Sequence, residues 1–156
     1  MNTVLFISGL KSGVIDIALT TEARVGKAGE TLRSDRLVWA GAPNWEACWR
    51  DPLPLSLGAD ACGFRPTALA ALKKVRQNWL STCEISNMEP VRATLEADLA
   101  IAPVLRHSVP DSLHVIPADA KLPKLPMFQI NLYQAENLSP AAEAFTDCIR
   151  HAVATA

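Results

Sequence analysis

Apolar residues recur along this chain in two alternating rhythms. The segment "VIDIALT" (Val14–Thr20) alternates apolar and polar positions, the two-residue period of a half-buried strand, and runs into the polar, glycine-bearing stretch "TTEARVGKAGE". "RLVWAGA" (Arg36–Ala42) predicts a second strand, closed by Pro43-Asn44. "PNWEACWRDP" follows as a loop packed against something, and "LPLSL" reads as a short, continuously apolar strand of the buried parallel kind. A helix over about Pro66–Gln77 then places Leu69, Leu72 and Val75 on one face, with Lys73, Lys74 and Arg76 in the last turn, where cations suit the helix dipole.

"WLSTCEI" (Trp79–Ile85) predicts the next strand. "SNMEP" then opens another helix, capped by Ser86 or by Asn87, with Val91, Leu95 and Leu99 inward. "IAPVL" and "LHVI" are further strands, and "KLPKLP" is a connector with neither period. "MFQINLYQ" (Met127–Gln134) alternates with Phe128, Ile130 and Leu132 on one side. Ser139-Pro140 caps a last helix with Phe145, Ile149 and Val153 on its inner face. Strands interleaved with helices in this order predict an α/β fold with mostly parallel sheets in two layers or lobes.

Composition narrows the function classes. The chain has 156 residues, enough for a real core, with 49% hydrophobic and 20% charged residues and a formal charge of −1. So balanced a charge carries no electrostatic footprint for nucleic acid. No apolar run approaches the roughly 20 residues of a membrane span, and "MNTVLFISGLKSG" lacks a basic n-region and cleavage site. The four cysteines contain no C-x-x-C pair and lie far in sequence from the three histidines. That is neither a zinc pattern nor a disulfide scaffold, so reduced thiols in a cytoplasm are expected.

Several pieces together resemble the effector-binding domain of LysR-type transcriptional regulators. "LKSGVIDIALT" is similar to a signature late in the family's first lobe, and "LRSDRLVWAGAP" to a strand crossing between lobes. "LPLSLGADACGFRPTALAALKK" resembles the strand, ligand loop and helix that begin the second lobe. "NMEPVRATLEADLAIAPVLR", then "LPMFQINLYQ" with "SPAAEAFTDCIRHAV", resemble the later helix-turn-strand, the return strand and the final helix. The pieces occur in the family's order over nearly the whole chain. Asp98 and Ala100 stand near where the family usually has glycines.

The resemblance implies a periplasmic-binding-protein-like (type 2) two-lobed fold. Residues 1–40 and 128–156 would form a partial first lobe and 41–127 the second, with Arg36–Ala42 and Met127–Gln134 as the crossing strands. The family's winged helix-turn-helix, linker helix and first strand and helix have no counterpart here, so the first lobe is expected to be incomplete.

By position, the resemblance assigns effector contacts to Asp60, Cys62, Gly63 and Arg65, with Ser86 and Asn87 opening the next helix and Thr20 and Thr21 on the first lobe. Helix starts can offer N–H groups to a carboxylate, and a guanidinium can take an anion through two bonds. Each residue also has a local explanation: strand ends for the threonines, caps for Ser86 and Asn87, and an ion pair with Asp60 for Arg65. Cys62 is expected to line the pocket as a small residue rather than act as a redox switch.

The implied function is small-molecule sensing, with a small anion as the effector and a homodimer or larger assembly as partner. No cofactor, metal, membrane or direct DNA contact by this chain is expected. Catalysis is not expected either, since the chain has no G-x-S-x-G, H-E-x-x-H or glycine-rich phosphate loop. The alternative is a stand-alone α/β solute-binding or catalytic domain that shares only the architecture.

Overall fold

A computed structural model describes residues 3–58, 62–83, 88–117 and 120–155. The chain divides into two compact units, one of residues 1–35 with 127–156 and one of residues 36–126. β2 (Glu30–Gly41) begins in the first unit and ends in the second, while β7 (Met127–Gln134) starts where the second unit ends.

In the first unit, β1 (Ile17–Glu22) pairs antiparallel with β7, and the strands run in the order β1-β7-β2. α1 (Thr3–Lys11), which the apolar pattern did not signal as an element, packs Leu10 against Ala18 and Tyr133. α4 (Pro140–Thr155) starts with the predicted cap, the Ala142 N–H donating to Ser139 Oγ at 3.2 Å. Its inward face is rotated from the expected one. Thr146 is fully buried and donates to the Ala142 carbonyl, Ile149 and Val153 are half-buried, and Phe145 is 60% exposed. The less exposed stripe is 142-146-149-153, and Arg150 reaches Glu30 on β2 and Gln134 on β7.

One face of the β1–β7 pair is polar and yet buried. Ala18, Thr20 and Glu22 stand in register with Tyr133, Asn131 and Gln129. A single oxygen of the Glu22 carboxylate accepts from Thr20 Oγ1 (2.8 Å), Asn131 Nδ2 (2.9 Å) and Tyr133 OH (2.8 Å). The Tyr133 oxygen accepts in turn from the Gly26 N–H at 2.7 Å. The loop after β1 lies so close to the ring that a Cβ on Gly29 would come within 2.6 Å of it, which only glycine permits.

In the second unit, the later half of β2 pairs antiparallel with β5 (Ala102–Leu105) and with the short β6 (His114–Val115). β3 (Leu53–Ser56) pairs parallel with β4 (Trp79–Cys83) on one side and bridges Ile101 on the other. Three of the four ladders of described register are antiparallel, more than strand–helix alternation suggests. The one parallel ladder among them joins β3 and β4 through the helical crossover α2 (Phe64–Lys74), the kind of connection parallel neighbours require.

α2 buries Ala68 and Leu72 and leaves Val75 outside its last turn. α3 (Met88–Glu96) buries Val91 and Leu95 against Ala40, Ala102, Val104 and Leu113, each leucine-sized side chain contributing about 1.5–3 kcal/mol. Leu99, expected inward, is 52% exposed because the helix has already ended. Trp39 is buried, with its indole N–H donated to the Pro123 carbonyl at 2.9 Å, but Trp49 and Trp79 are exposed. Trp49 ends a 3-10 turn and tilts against Trp45, and Trp79 opens a strand paired on one side only among the described residues.

The turn after α3 contains no glycine at Asp98, yet Asp98 adopts a left-handed φ of 52°. Short polar side chains tolerate that region best after glycine. The buried Asp98 carboxylate accepts from the Glu46 and Ala47 N–H groups, each at 3.1 Å, and so caps the 3-10 turn Glu46–Trp49.

Two predictions follow from these polar contacts. Asp98→Ala strands two N–H groups and should cost about 2–4 kcal/mol, while Asp98→Gly should lose the same bonds and recover only the strain. Urea denaturation of both variants measures the difference, and a near-wild-type midpoint for Asp98→Gly would count against the capping role.

The second concerns Tyr133. Burial first, and then the Glu22 carboxylate, hold its phenol above the ordinary value against the opposing pull of the Gly26 N–H. The folded state therefore keeps a proton that the unfolded chain releases above about pH 10. This contribution is fully present below that pH and is lost as pH rises toward the folded-state value. Tyr133→Phe should cost about 1–2 kcal/mol at neutral pH and show a shallower fall in melting temperature on the alkaline side.

Candidate functional site

β3 delivers the chain to the candidate site. Its leucines Leu53 and Leu55 and the following Leu57 are fully buried, and the Leu57 N–H still donates to the Cys83 carbonyl, so the chain is held just past the strand end. Gly58 follows. A Cβ there would lie 2.8 Å from the Cys62 Cβ and 3.0 Å from its sulfur, so the glycine lets the Cys62 side chain settle onto the backbone. The Gly58 carbonyl accepts from Arg65 Nη1 at 3.1 Å. Gly58, Cys62, Gly63 and Arg65 thus form one closed loop at the carboxyl end of a parallel strand, leading straight into α2.

The helix start has fewer donors to offer than its sequence promised. Gly63 occupies the cap position with no side-chain cap, the Arg65 N–H donates to the Cys62 carbonyl at 3.2 Å, and Pro66 has no N–H. The helix begins at Phe64, two residues before the proline, because the third helical position needs no donor. An anion at this loop therefore leans on side chains more than on the helix end. Cys62 is half-buried and its thiol is free.

A residue the motif reading missed stands just ahead of the loop. Ser56 is almost fully buried, and its hydroxyl is a buried side-chain polar atom with no hydrogen-bond partner among the described residues. Leaving such a group unpaired costs about 1–3 kcal/mol. Nothing in "LPLSL" distinguishes this serine from one facing solvent, so only burial reveals it.

The other expected residues are distributed as follows. Asp60, Ser86 and Asn87 lie outside the described residues. Thr20 and Thr21 are successive residues of β1, in the first unit, and present their side chains to opposite faces of the sheet. Thr20 is buried and donates to Glu22, while Thr21 stands opposite Ile130. Among the described residues no group of three or more His, Cys, Asp or Glu side chains is arranged to hold a metal ion. No described helix is long and apolar enough to cross a membrane.

Comparison with known proteins matches this architecture. The chain is 27% identical over 149 residues to the HTH-type transcriptional regulator DgdR of Burkholderia cepacia, covering 95% of this chain and 51% of that protein. It thus spans about half the length of this curated relative. The regulatory domain of HypT from Salmonella typhimurium, solved with bromide bound, superposes with a TM-score of 0.76 at 17% identity, covering 100% of this chain and 81% of that one. The effector-binding domain of QuiR in complex with shikimate gives 0.65 at 17% identity, covering 97% and 78%. These likenesses establish the fold, a periplasmic-binding-protein-like α/β architecture shared with regulatory domains. The LysR substrate binding domain matches residues 1–154. With a strand-end loop closed by Gly58 and Arg65 inside that matched span, this chain belongs to the LysR substrate-binding domain family.

Proposed function

We propose that this chain is the effector-sensing part of a LysR-type transcriptional regulator and that its effector is a small anion. The match of the family over residues 1–154 carries the regulatory reading. The intact regulator would read DNA with a region outside this chain, which by its near-neutral charge has no grip on phosphate. A cytoplasmic location and the absence of catalysis go with that role.

The anion reading rests on the second-unit loop. Arg65 is half-buried beside Gly58 and Cys62, where it donates to the Gly58 carbonyl and interacts further within the chain, and its guanidinium brings a permanent positive charge to the loop. The buried Ser56 hydroxyl, two residues before Gly58, supplies a donor and acceptor that ligand or water could satisfy. Asp60, Ser86 and Asn87 remain in the proposed contact set with Cys62, Gly63 and Arg65. Bromide and shikimate, bound by two proteins of like fold, are both anions.

We also infer a homodimer or larger assembly. Every residue of β4 from Trp79 to Thr82 is exposed, its outer edge is unpaired among the described residues, and Trp79, Leu80 and nearby Val75 expose large apolar groups around it. Such an edge is a ready template for pairing with another copy.

Two experiments test these readings. Arg65→Ala should weaken binding of carboxylate effectors by roughly tenfold to a hundredfold and also melt slightly earlier, since the Gly58 carbonyl loses its donor. Arg65→Lys should restore melting more than affinity, because an ammonium lacks the two-pronged geometry. Unchanged affinity in Arg65→Ala, by calorimetry, would remove the arginine from the site. Leu80→Asp should shift sedimentation toward monomer at roughly tens of micromolar protein with its melting curve unchanged. A wild-type chain that sediments only as monomer at that concentration would refute the assembly.

A further inference from the structure

A second cavity, separate from the Gly58–Arg65 loop, lies within the second unit between β2 and the Leu122–Leu125 segment. It encloses about 260 Å³. Its floor is apolar, built from Trp39, Ile116 and Leu122 among others, and its cations are Arg36, Arg106 and Lys124. No aspartate or glutamate lines it among the described residues. Trp39 has already given its one N–H to the Pro123 carbonyl, so what its ring can offer a ligand is carbon surface. Arg36 has a further interaction within the chain, so the cavity's charge is assigned chiefly to Arg106, just after β5, and Lys124, in the connector.

We propose that this cavity binds a small monocyclic carboxylate, its ring against Trp39, Ile116 and Leu122 and its charge toward Arg106 and Lys124. A volume of this size suits a single ring, since pockets for drug-sized molecules run to roughly 300–1,000 Å³. Apolar walls alone would accept a neutral ring equally well. Cations without a lining carboxylate to neutralise them select the anion. A bare inorganic anion could use the two cations but would leave the apolar floor uncovered, so it should bind less well than a ring that carries the same charge. The proposal concerns a site additional to the effector loop and stands or falls independently of it.

The test uses the 156-residue chain and benzoate as probe, with calorimetry as readout. Benzoate should bind with millimolar or better affinity, and neutral benzamide and inorganic phosphate should each bind at least about tenfold more weakly. Arg106→Ala and Lys124→Ala should each reduce benzoate affinity about tenfold, and Arg106→Lys should recover part of the loss. Lys74→Ala is the control, because Lys74 lines the groove between α2 and Pro123–Pro126, on which Lys124 also borders. The site is overturned if no benzoate heat is detected, if benzamide binds as tightly, or if affinity falls with Lys74→Ala rather than with Arg106→Ala. Melting curves of each variant separate loss of binding from loss of fold.

Discussion

The Asp98 carboxylate joins two parts of the second unit that are far apart in sequence. Its left-handed turn ends α3 and sends Ala100 and Ile101 back into the sheet, while its two oxygens hold the Glu46 and Ala47 N–H groups ahead of β3. Ile101 then bonds to both sides of Leu55, donating to the Pro54 carbonyl and accepting from the Ser56 N–H. β3 is thereby pinned on both edges, and the Gly58 loop inherits its position from that strand. A glycine at position 98 would adopt the same turn without strain but could hold nothing. The aspartate exchanges a modest conformational cost for two charge-assisted hydrogen bonds in a buried setting, where such bonds are at their strongest.

The same trade of apolar packing for satisfied polarity appears in the first unit. Placing Glu22 between β1 and β7 is costly unless its charge is met, and three neutral donors meet it on one oxygen. Such a network demands a fixed register, because sliding β1 by one residue would send Thr20 and Glu22 to the opposite face. The polar cluster thus specifies strand pairing that Ile17 and Leu19 alone would leave loose. Gly26 and Gly29 complete it by bringing backbone against Tyr133.

At the candidate site, charge is supplied mainly by a side chain. A helix amino end attracts anions through unpaired N–H groups, but here one of them is spent on Cys62 and one is replaced by proline. In the proposed site Arg65 would take over, and its bond to the Gly58 carbonyl would hold the guanidinium in place before a ligand arrives. Cys62 belongs with the packing of that anchor, since its side chain rests on the Gly58 backbone.

Where local pattern and burial agree, the sequence by itself determined the element. β7 falls on Met127–Gln134 as its alternation indicates, and the Ser139-Pro140 cap opens α4 at Pro140. The order of resembling segments was likewise enough to indicate the family. The cluster of Gly58, Cys62, Gly63 and Arg65 was legible because its members are close in sequence, at a strand end that leads into a helix.

Tertiary structure decided what period and spacing could not. Asn131 and Tyr133 sit on the polar face of β7, which reads as solvent-facing, and become buried only because Glu22 and Gly26 arrive from about a hundred residues away. Phe145 and Leu99 are apolar and yet exposed, one because the less exposed face of its helix runs through Thr146 instead and the other because its helix ends before it. Ser56 is indistinguishable from a surface serine until its neighbours are placed. In each case the deciding partner is distant in sequence. The physical reason is that local pattern states a preference for burial, whereas a hydrogen bond or a cavity exists only once distant segments have met.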